Sequence, residues 1–278
     1  MMPAAPRLSM PPGGCDCHVH IYDPRAPVAV PGANPGPAWA DVPGYRALQA
    51  RLGLQRAVIV QPNAYGTDNG VTLAAVAALG AESTRGVAVV KPGLGSAELQ
   101  RLTAGGIRGA RVHMLAGGIL SWDMLEPLAA EVTEAGWHIQ LQLDGRLLHE
   151  REAELRRLPG TLVIDHIGKF LEPVTPDHPG FQALLRLLDG GRTYLKLAAA
   201  YEVSRAGPPD YADTAALAKA AIRHAPERMT WASNWPHVSV EEKPDDAALL
   251  DLLLDWAPDE ATRRLILVDN PARLYGFA

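Results

Sequence analysis

Cys15-Asp16-Cys17-His18-Val19-His20-Ile21-Tyr22 is the first strand that this chain predicts, directly after a start rich in Pro and Gly. Because alternate residues of a strand point to the same side, we expect His18 and His20 to lie side by side, with Asp16 and Tyr22 on the same face. Two adjacent imidazoles suit metal binding, anion binding or proton transfer. A pair of structural histidines is the alternative, but burying two polar rings is costly without partners.

Strand and helix patterns alternate from this point to the end of the 278-residue chain. Further strands are predicted at 56–61, 85–90, 107–114, 138–143, 162–166, 194–199 and 229–233. Helices are predicted at 45–52, 71–79, 97–103, 123–135, 147–158, 181–188, 214–224, 245–256 and 259–268. This alternation, over about 250 residues, predicts a single-domain (β/α)8 TIM barrel over 14–278. Residues 1–13 are predicted to form a flexible N-terminal arm.

The rival architecture is a doubly wound open sheet, which carries a Gly-rich phosphate turn after its first strand. Here the first strand runs into Ile21-Tyr22-Asp23-Pro24, which cannot cradle a phosphate. The Pro-, Gly- and Ala-rich connection over 24–43, which contains Trp39, is long for a compact domain. Connections of this length are usually functional, so we expect this one to lie near the site.

Composition narrows the function classes. A net charge of -5 and a hydrophobic fraction of 47% favour neither nucleic acid nor a membrane surface as a partner. The chain has no apolar run long enough to span a bilayer and no secretory signal pattern. Its two cysteines, Cys15 and Cys17, are too close along a strand for a good disulfide, which fits a reducing, cytoplasmic setting. We expect a monomer or a small homo-oligomer.

Polar residues collect where the predicted strands end, which is where a barrel of this kind places its active site. Beyond the first strand they are Asn63, Tyr65, Arg108, Arg111, His113, Gln140, Gln142, Asp144, Asp165, His166, Lys196, Tyr201, Arg205, Asn234 and His237. This local excess of cations on an acidic chain favours an anionic ligand, and arginine recognises carboxylates in a bidentate manner. Structural alternatives remain: Arg108 as a surface cap of its strand, and Lys196 paired with Asp144 or Asp165.

Three motifs resemble those of the amidohydrolase superfamily. They are Asp-Cys-His-Val-His at 16–20, Ile-Asp-His-Ile-Gly-Lys at 164–169 and Trp-Ala-Ser-Asn-Trp-Pro-His at 231–237. More narrowly, they resemble the branch of 2-pyrone-4,6-dicarboxylate lactonase and D-galactarolactone isomerase. The resemblance extends over residues 14–276.

The resemblance bears on whether the site binds a metal ion. The superfamily's usual metal site uses the two histidines of the first strand, further histidines and an aspartate after the eighth strand. This chain offers His18, His20 and His166, but has Asn234 where the aspartate would stand. The named branch works without metal, so we expect no cofactor. The alternative is one zinc ion on the three histidines, because three imidazoles can hold zinc.

The resemblance also implies roles for the site residues. His18, His20, His166, Asn234 and His237 are the predicted catalytic residues. The predicted substrate-binding residues are Tyr22, Asn63, Tyr65, Arg108, Arg111, His113, Gln142, Tyr201 and Arg205. The predicted function is hydrolysis of a small carboxylated lactone. Because Asn234 cannot accept a proton as a general base, a metal-independent sugar-acid lactone isomerase is the alternative. A mononuclear zinc hydrolase or decarboxylase, and a non-catalytic binder of an organic anion, also remain open.

Overall fold

A computed structural model describes residues 5–278. Eight parallel strands pair in sequence order: β1 Cys15–Val19, β2 Arg56–Val60, β3 Thr84–Ala88, β4 Ile107–His113, β5 His138–Gln142, β6 Leu162–Ile164, β7 Thr193–Leu197 and β8 Met229–Trp231. The sheet closes beyond the strand ends, where Asn234 N donates to His18 O at 3.0 Å and His20 N donates to Trp235 O at 2.9 Å. The predicted (β/α)8 barrel is confirmed.

Helices cover the outside of the barrel, as the alternation predicts. They are α1 Val42–Leu52, α2 Gly70–Leu79, α3 Ser96–Ala104, α4 Trp122–Glu134, α5 Leu148–Arg157, α6 Pro179–Asp189, α7 Ala212–His224, α8 Asp246–Trp256, α9 Glu260–Arg264 and α10 Asn270–Tyr275. A π-helical stretch, Leu265–Asp269, joins α9 to α10. No helix within residues 5–278 is both long enough and apolar enough to cross a membrane.

Helix α1 begins three residues before the predicted start at Tyr45. Asp41 caps it by accepting a hydrogen bond from Gly44 N at 2.8 Å, and proline occupies the first turn. The helix ends at Gly53, whose left-handed φ of 74° suits glycine. This local chemistry aims the buried Tyr45 ring at the first strand, where its hydroxyl donates to Asp16.

An irregularity in β1 changes which side chains face the barrel interior. The register between β1 and β2 shifts between Asp16 and Val19, as a β-bulge does. Asp16 therefore accepts hydrogen bonds from Ser233 N and Oγ, at 3.0 and 2.5 Å, while His18 contacts residues of strands across the barrel. The predicted common face of Asp16 and His18 is thus wrong, because strict alternation does not survive the bulge.

The predicted arm over 1–13 begins outside the described residues, which exclude 1–4. Beyond that point, Arg7 N and Leu8 N donate to the Asp251 carboxylate of α8 at 3.0 and 2.8 Å, and Leu8 is buried. The chain is therefore packed against the barrel's helical layer from Arg7 onward.

Candidate active site

Three buried imidazoles meet at the carboxyl ends of β1 and β6. His18 Nε2 lies 3.2 Å from His20 Nε2, and the His18 and His166 ring centroids are 4.8 Å apart. All three side chains are buried. The two histidines of the first strand thus do lie side by side, and His166 joins them from the turn after β6.

Hydrogen-bond partners fix where the protons of this pair sit. His20 Nδ1 lies 2.8 Å from Val60 O, a pure acceptor, so this nitrogen carries the proton and Nε2 presents a lone pair. His18 Nδ1 lies 3.4 Å from each of two donors, Gln140 Nε2 and Lys196 Nζ, and 3.4 Å from the acceptor Asp165 Oδ1. Because the lone pair of His20 Nε2 faces His18 Nε2 at 3.2 Å, we assign the His18 proton to Nε2, where it makes this contact a hydrogen bond. The pair offers one N–H donor and one basic nitrogen to the same space.

A charged cluster lies beneath His18 inside the barrel. Lys196 Nζ donates to Gln140 Oε1 at 2.6 Å and lies 3.5 Å from Asp165 Oδ1, and Gln140 Nε2 donates to Asp165 Oδ2 at 3.0 Å. Of the two partners considered for Lys196, the structure selects Asp165. Asp144 instead caps the turn after β5 and pairs with Arg146. The cluster surrounds the Nδ1 side of His18 with two donors and the Asp165 carboxylate.

Strained backbone concentrates at the ends of β6, β7 and β8. Non-glycine residues there adopt positive φ: His166 54°, Lys169 48°, Ala199 56°, Asn234 61° and His237 59°. Such conformations are uncommon for residues with a Cβ and cluster at functional sites. The strain singles out this rim of the barrel as the functional end.

Arg111 is a buried cation without a carboxylate partner among residues 5–278. It donates to Gln61 O at 2.7 Å, Asn63 Oδ1 at 3.2 Å and Gln142 Oε1 at 3.3 Å, and its Nε has no partner. A buried guanidinium that is not neutralised is expensive, so a bound anion is its natural complement. Asn63 and Gln142, both predicted to bind substrate, hold this guanidinium in place.

Above Arg111 opens a cavity of about 290 Å³. His20, Tyr22, Asn63 and Arg111 contribute to its wall, and residues 30–34 of the long first connection also line it, together with Val238. The expected position of the connection over 24–43 near the site is therefore confirmed. Trp39, from the same connection, packs on Trp235 at 5.6 Å between ring centroids but remains 53% exposed.

A directed hydrogen-bond chain runs along the rim from Asn234. Its Nδ2 donates to Tyr201 Oη at 2.8 Å, the tyrosine hydroxyl lies 2.8 Å from His237 Nδ1, and His237 Nε2 lies 2.9 Å from Asp246 Oδ1. Both ring nitrogens of His237 thus have partners within the protein, and its predicted catalytic role stays a prediction. The chain also fixes the Asn234 amide with its nitrogen turned towards the protein.

Sequence reasoning missed Glu202, which connects two of the motifs. One oxygen accepts from Asn234 Nδ2 at 3.2 Å and from the Ser239 hydroxyl, and the other accepts from Lys169. Both members of the Lys169–Glu202 ion pair are buried, with side chains 11% and 8% exposed. The motif Gly168-Lys169 was the available signal, but its partner lies in the next βα connection, beyond the reach of local patterns.

Other predicted substrate-binding residues lie elsewhere. Arg108 is at the amino end of β4, where it donates to Thr103 O at 2.9 Å, so its prediction as a carboxylate clamp is wrong and the strand-cap alternative holds. Arg205 is on the correct side but is 71% exposed and paired with Glu172. Tyr65 binds the Asp23 backbone and braces the first connection. His113 is half-buried beside Arg111 and Asn63.

The residues that could hold a metal fit a divalent cation poorly. His18, Asp165 and His166 bring ligand atoms within 4.8 Å of one another, and His20 adds a fourth donor. However, the Asp165 carboxylate, the anionic member, already faces the Lys196 ammonium. Lys169 and Arg111 add further positive charge near His166, lowering its pKa in addition to the effect of burial. This environment favours an anion over a cation.

Burial makes the histidines of the barrel weak bases. It lowers the pKa of His20 and of His138 to about 3 and that of His113 to about 4, and it lowers the pKa of His18 and His166 as well. The unfolded chain, with histidine pKa values near 6.5, therefore binds more protons than the folded chain over roughly pH 3 to 6.5. Neutral imidazoles are thus the resting state of the site.

It follows that the free energy of unfolding should fall as the pH falls below 6.5, by about 2 kcal/mol for each of His20, His113 and His138 on reaching pH 5. Urea denaturation at pH 7 and pH 5 measures this change. His138 is remote from the site and lies next to Tyr275. In the His138→Gln variant one proton fewer is taken up on unfolding, so the difference in the free energy of unfolding between pH 7 and pH 5 should be smaller by about 2 kcal/mol. Equal stability of the wild-type protein at the two pH values would contradict the neutral assignment.

The chain is similar to known proteins over nearly its whole length. The family described as amidohydrolase matches residues 15–277. The D-galactarolactone isomerase of Agrobacterium fabrum is 40% identical over 98% of this chain and 94% of its own length. A 4-sulfomuconolactone hydrolase of Hydrogenophaga intermedia is 33% identical over 97% and 91%. An apo crystal structure from Agrobacterium tumefaciens superposes with a TM-score of 0.90, at 39% identity over 99% and 97% of the two chains.

Proposed function

The chain belongs to the amidohydrolase family, and from this premise we propose that it is an enzyme that opens the ester of a small carboxylated lactone by acyl transfer, without a metal ion. The observation that carries the proposal is the unneutralised Arg111 in the same cavity wall as His20, whose ring contacts that of His18. Arg111 suits a carboxylate, and the neighbouring pair of His18 and His20 suits a carbonyl group under attack.

Arg111 would bind the substrate carboxylate. Its guanidinium is held by three acceptors of the protein, so little side-chain entropy is lost on binding. Charge-assisted, bidentate contacts of this type are about twice as strong as neutral hydrogen bonds. The carboxylate fixes the orientation of the ring against the imidazoles.

His18 would donate a hydrogen bond from its Nε2–H to the lactone carbonyl oxygen, in place of its contact with His20, and stabilise the oxyanion that forms on attack. A preorganised donor in a dry site can contribute substantially to the rate. His20 Nε2 would accept the proton of the attacking hydroxyl and return it to the departing ring oxygen. Its pKa is lowered by burial and then by Arg111, so neutralisation of Arg111 by the substrate carboxylate would make His20 a better base.

Transfer to a hydroxyl of the substrate itself is the version that the site favours. The attacking hydroxyl loses its proton, its oxygen bonds to the carbonyl carbon, and the former ring oxygen leaves with a proton, so one lactone becomes another. Asn234 stands where the superfamily has an aspartate and cannot activate water as a base. The similarity to the D-galactarolactone isomerase supports the same reaction.

Hydrolysis of the lactone is the second candidate. It is favoured by the complete pair of histidines on β1 and by the similarity to the 4-sulfomuconolactone hydrolase. In this version a water molecule takes the place of the substrate hydroxyl, and His20 serves as its base. The product would be an open-chain acid.

Proton NMR of the chelator-treated protein with galactarolactones of both ring sizes tests the proposal. We expect one ring size to convert into the other at a rate that neither chelator nor added zinc changes by more than about twofold. An open-chain acid as the main product would show that the reaction is hydrolysis and not isomerisation. Turnover that requires zinc would overturn the metal-free mechanism.

The two cysteines support a reducing compartment, which we propose to be the cytoplasm. Cys17 Sγ donates a hydrogen bond to Cys15 Sγ at 3.7 Å, and the two buried thiols are not joined by a disulfide. We keep a monomer or small homo-oligomer as the proposed assembly.

A further inference from the structure

Four basic side chains, of two arginines and two lysines, are buried in residues 5–278, and their partners differ. Arg85 lies at the far end of the barrel, where it binds the carbonyl groups of Tyr275 and Gly276. The other three, Arg111, Lys169 and Lys196, are at the site end. Lys196 faces Asp165, Lys169 is paired with Glu202, and Arg111 has no carboxylate. Of the three at the site end, Arg111 is therefore the one without a carboxylate partner among the described residues.

We propose that Glu202 limits the substrate to a single anionic group, because it neutralises Lys169 and leaves Arg111 as the one buried cation of the described site that can bind a carboxylate. This inference rests on the proposed function and specifies its substrate class: a lactone with one carboxylate at one end and hydroxyl groups at the other. A second carboxylate or a sulfonate near Lys169 would meet the negative charge of Glu202 instead of a free ammonium.

The surroundings of Glu202 suit hydroxyl groups. Its carboxylate accepts hydrogen bonds from the Asn234 amide and the Ser239 hydroxyl. The Tyr201 hydroxyl accepts a hydrogen bond from the same Asn234 amide. The Asn234 side-chain oxygen has no protein partner in the part of the chain that the structure describes. Acceptors and donors alternate here without net charge, which is the pattern that matches a polyhydroxylated carbon chain. A dianionic ring would lose water around its second charge without a compensating ion pair.

The Glu202→Gln variant tests this assignment with two probes that share one ring, 2-pyrone-6-carboxylate and 2-pyrone-4,6-dicarboxylate. Calorimetric titration should give wild-type protein a preference for the monocarboxylate of about tenfold or more. In Glu202→Gln, Lys169 becomes unpaired, and affinity for the dicarboxylate should rise about tenfold while that for the monocarboxylate changes little. Adding Lys169→Gln should cancel the gain.

Glu241→Gln is the matched control, because Glu241 is exposed at the same end of the barrel and loses the same charge. An unchanged probe ratio in a folded Glu202→Gln protein, or an equal gain in Glu241→Gln, would overturn the inference. If Glu202→Gln does not fold, Lys169→Gln replaces it and should weaken binding of both probes, since Glu202 is then unneutralised; unchanged binding would overturn the inference.

These titrations need no turnover. A shifted probe ratio in a protein that converts no lactone would refute the proposed function and leave the role of Glu202 standing. Lactone turnover combined with an unshifted probe ratio would support the proposed function and overturn the role of Glu202.

Discussion

The Arg111→Met variant is expected to lose most substrate affinity: KM should rise and kcat/KM should fall by about 100- to 1000-fold, because a bidentate, charge-assisted pair is lost. The effect on kcat should be smaller, since the carboxylate is bound equally in the ground state and the transition state. The stability of the variant should match or exceed that of wild type, because burying an unneutralised guanidinium is costly. Steady-state kinetics and urea denaturation measure the two effects.

Arg108→Met provides the internal control, since Arg108 lies on the same strand but caps its opposite end. We expect its KM to stay within about twofold of wild type. A KM effect in Arg108→Met equal to that in Arg111→Met would mean that the loss reflects general disturbance of β4. An unchanged KM in Arg111→Met would remove the carboxylate site from the mechanism.

The His18→Ala variant is expected to reduce kcat by about 100- to 1000-fold, which is the usual consequence of removing one oxyanion donor. We assign the proton of His18 to Nε2, on the side of the site, because the lone pair of His20 Nε2 faces this nitrogen at 3.2 Å. KM should change much less than kcat, since the charge of Arg111 is untouched. Steady-state kinetics at pH 7.5 would separate the two constants.

His138→Ala controls for the cavity that the substitution leaves. His138 is buried on β5 at the other end of the barrel, against Tyr275. It should lose stability to a similar degree, with kcat within a few-fold of wild type. Wild-type kcat in a folded His18→Ala protein would refute the oxyanion role.

Fold and site differed in how far the sequence could predict them. The barrel followed from eight alternating units, whose branched apolar strands and amphipathic helices are local signals. The pairing of His18 with His20 followed from strand periodicity. The face of Asp16 did not, because the register shift in β1 depends on the partner strand β2 and not on β1 alone.

Pairing between distant side chains accounts for the other differences. Arg108 and Arg111 look alike in sequence, and only their height on β4 separates a strand cap from an unneutralised cation in the cavity. Glu202 and Lys169 belong to connections after different strands, so no local pattern joins them. The sequence leaves the partners of His237 open, whereas the structure places the Tyr201 hydroxyl and the Asp246 carboxylate at its two ring nitrogens. Such facts come from the closed barrel, which brings the ends of all strands together.

Turnover of a galactarolactone in water enriched in oxygen-18, followed by mass spectrometry of the product, tests the central claim most directly. If the acyl group passes to a hydroxyl of the substrate, the product lactone carries no oxygen-18 from the solvent, and its ring size has changed. Incorporation of one oxygen-18 atom into each product molecule would show that water is the acceptor, and would contradict the isomerisation that we derive from Asn234.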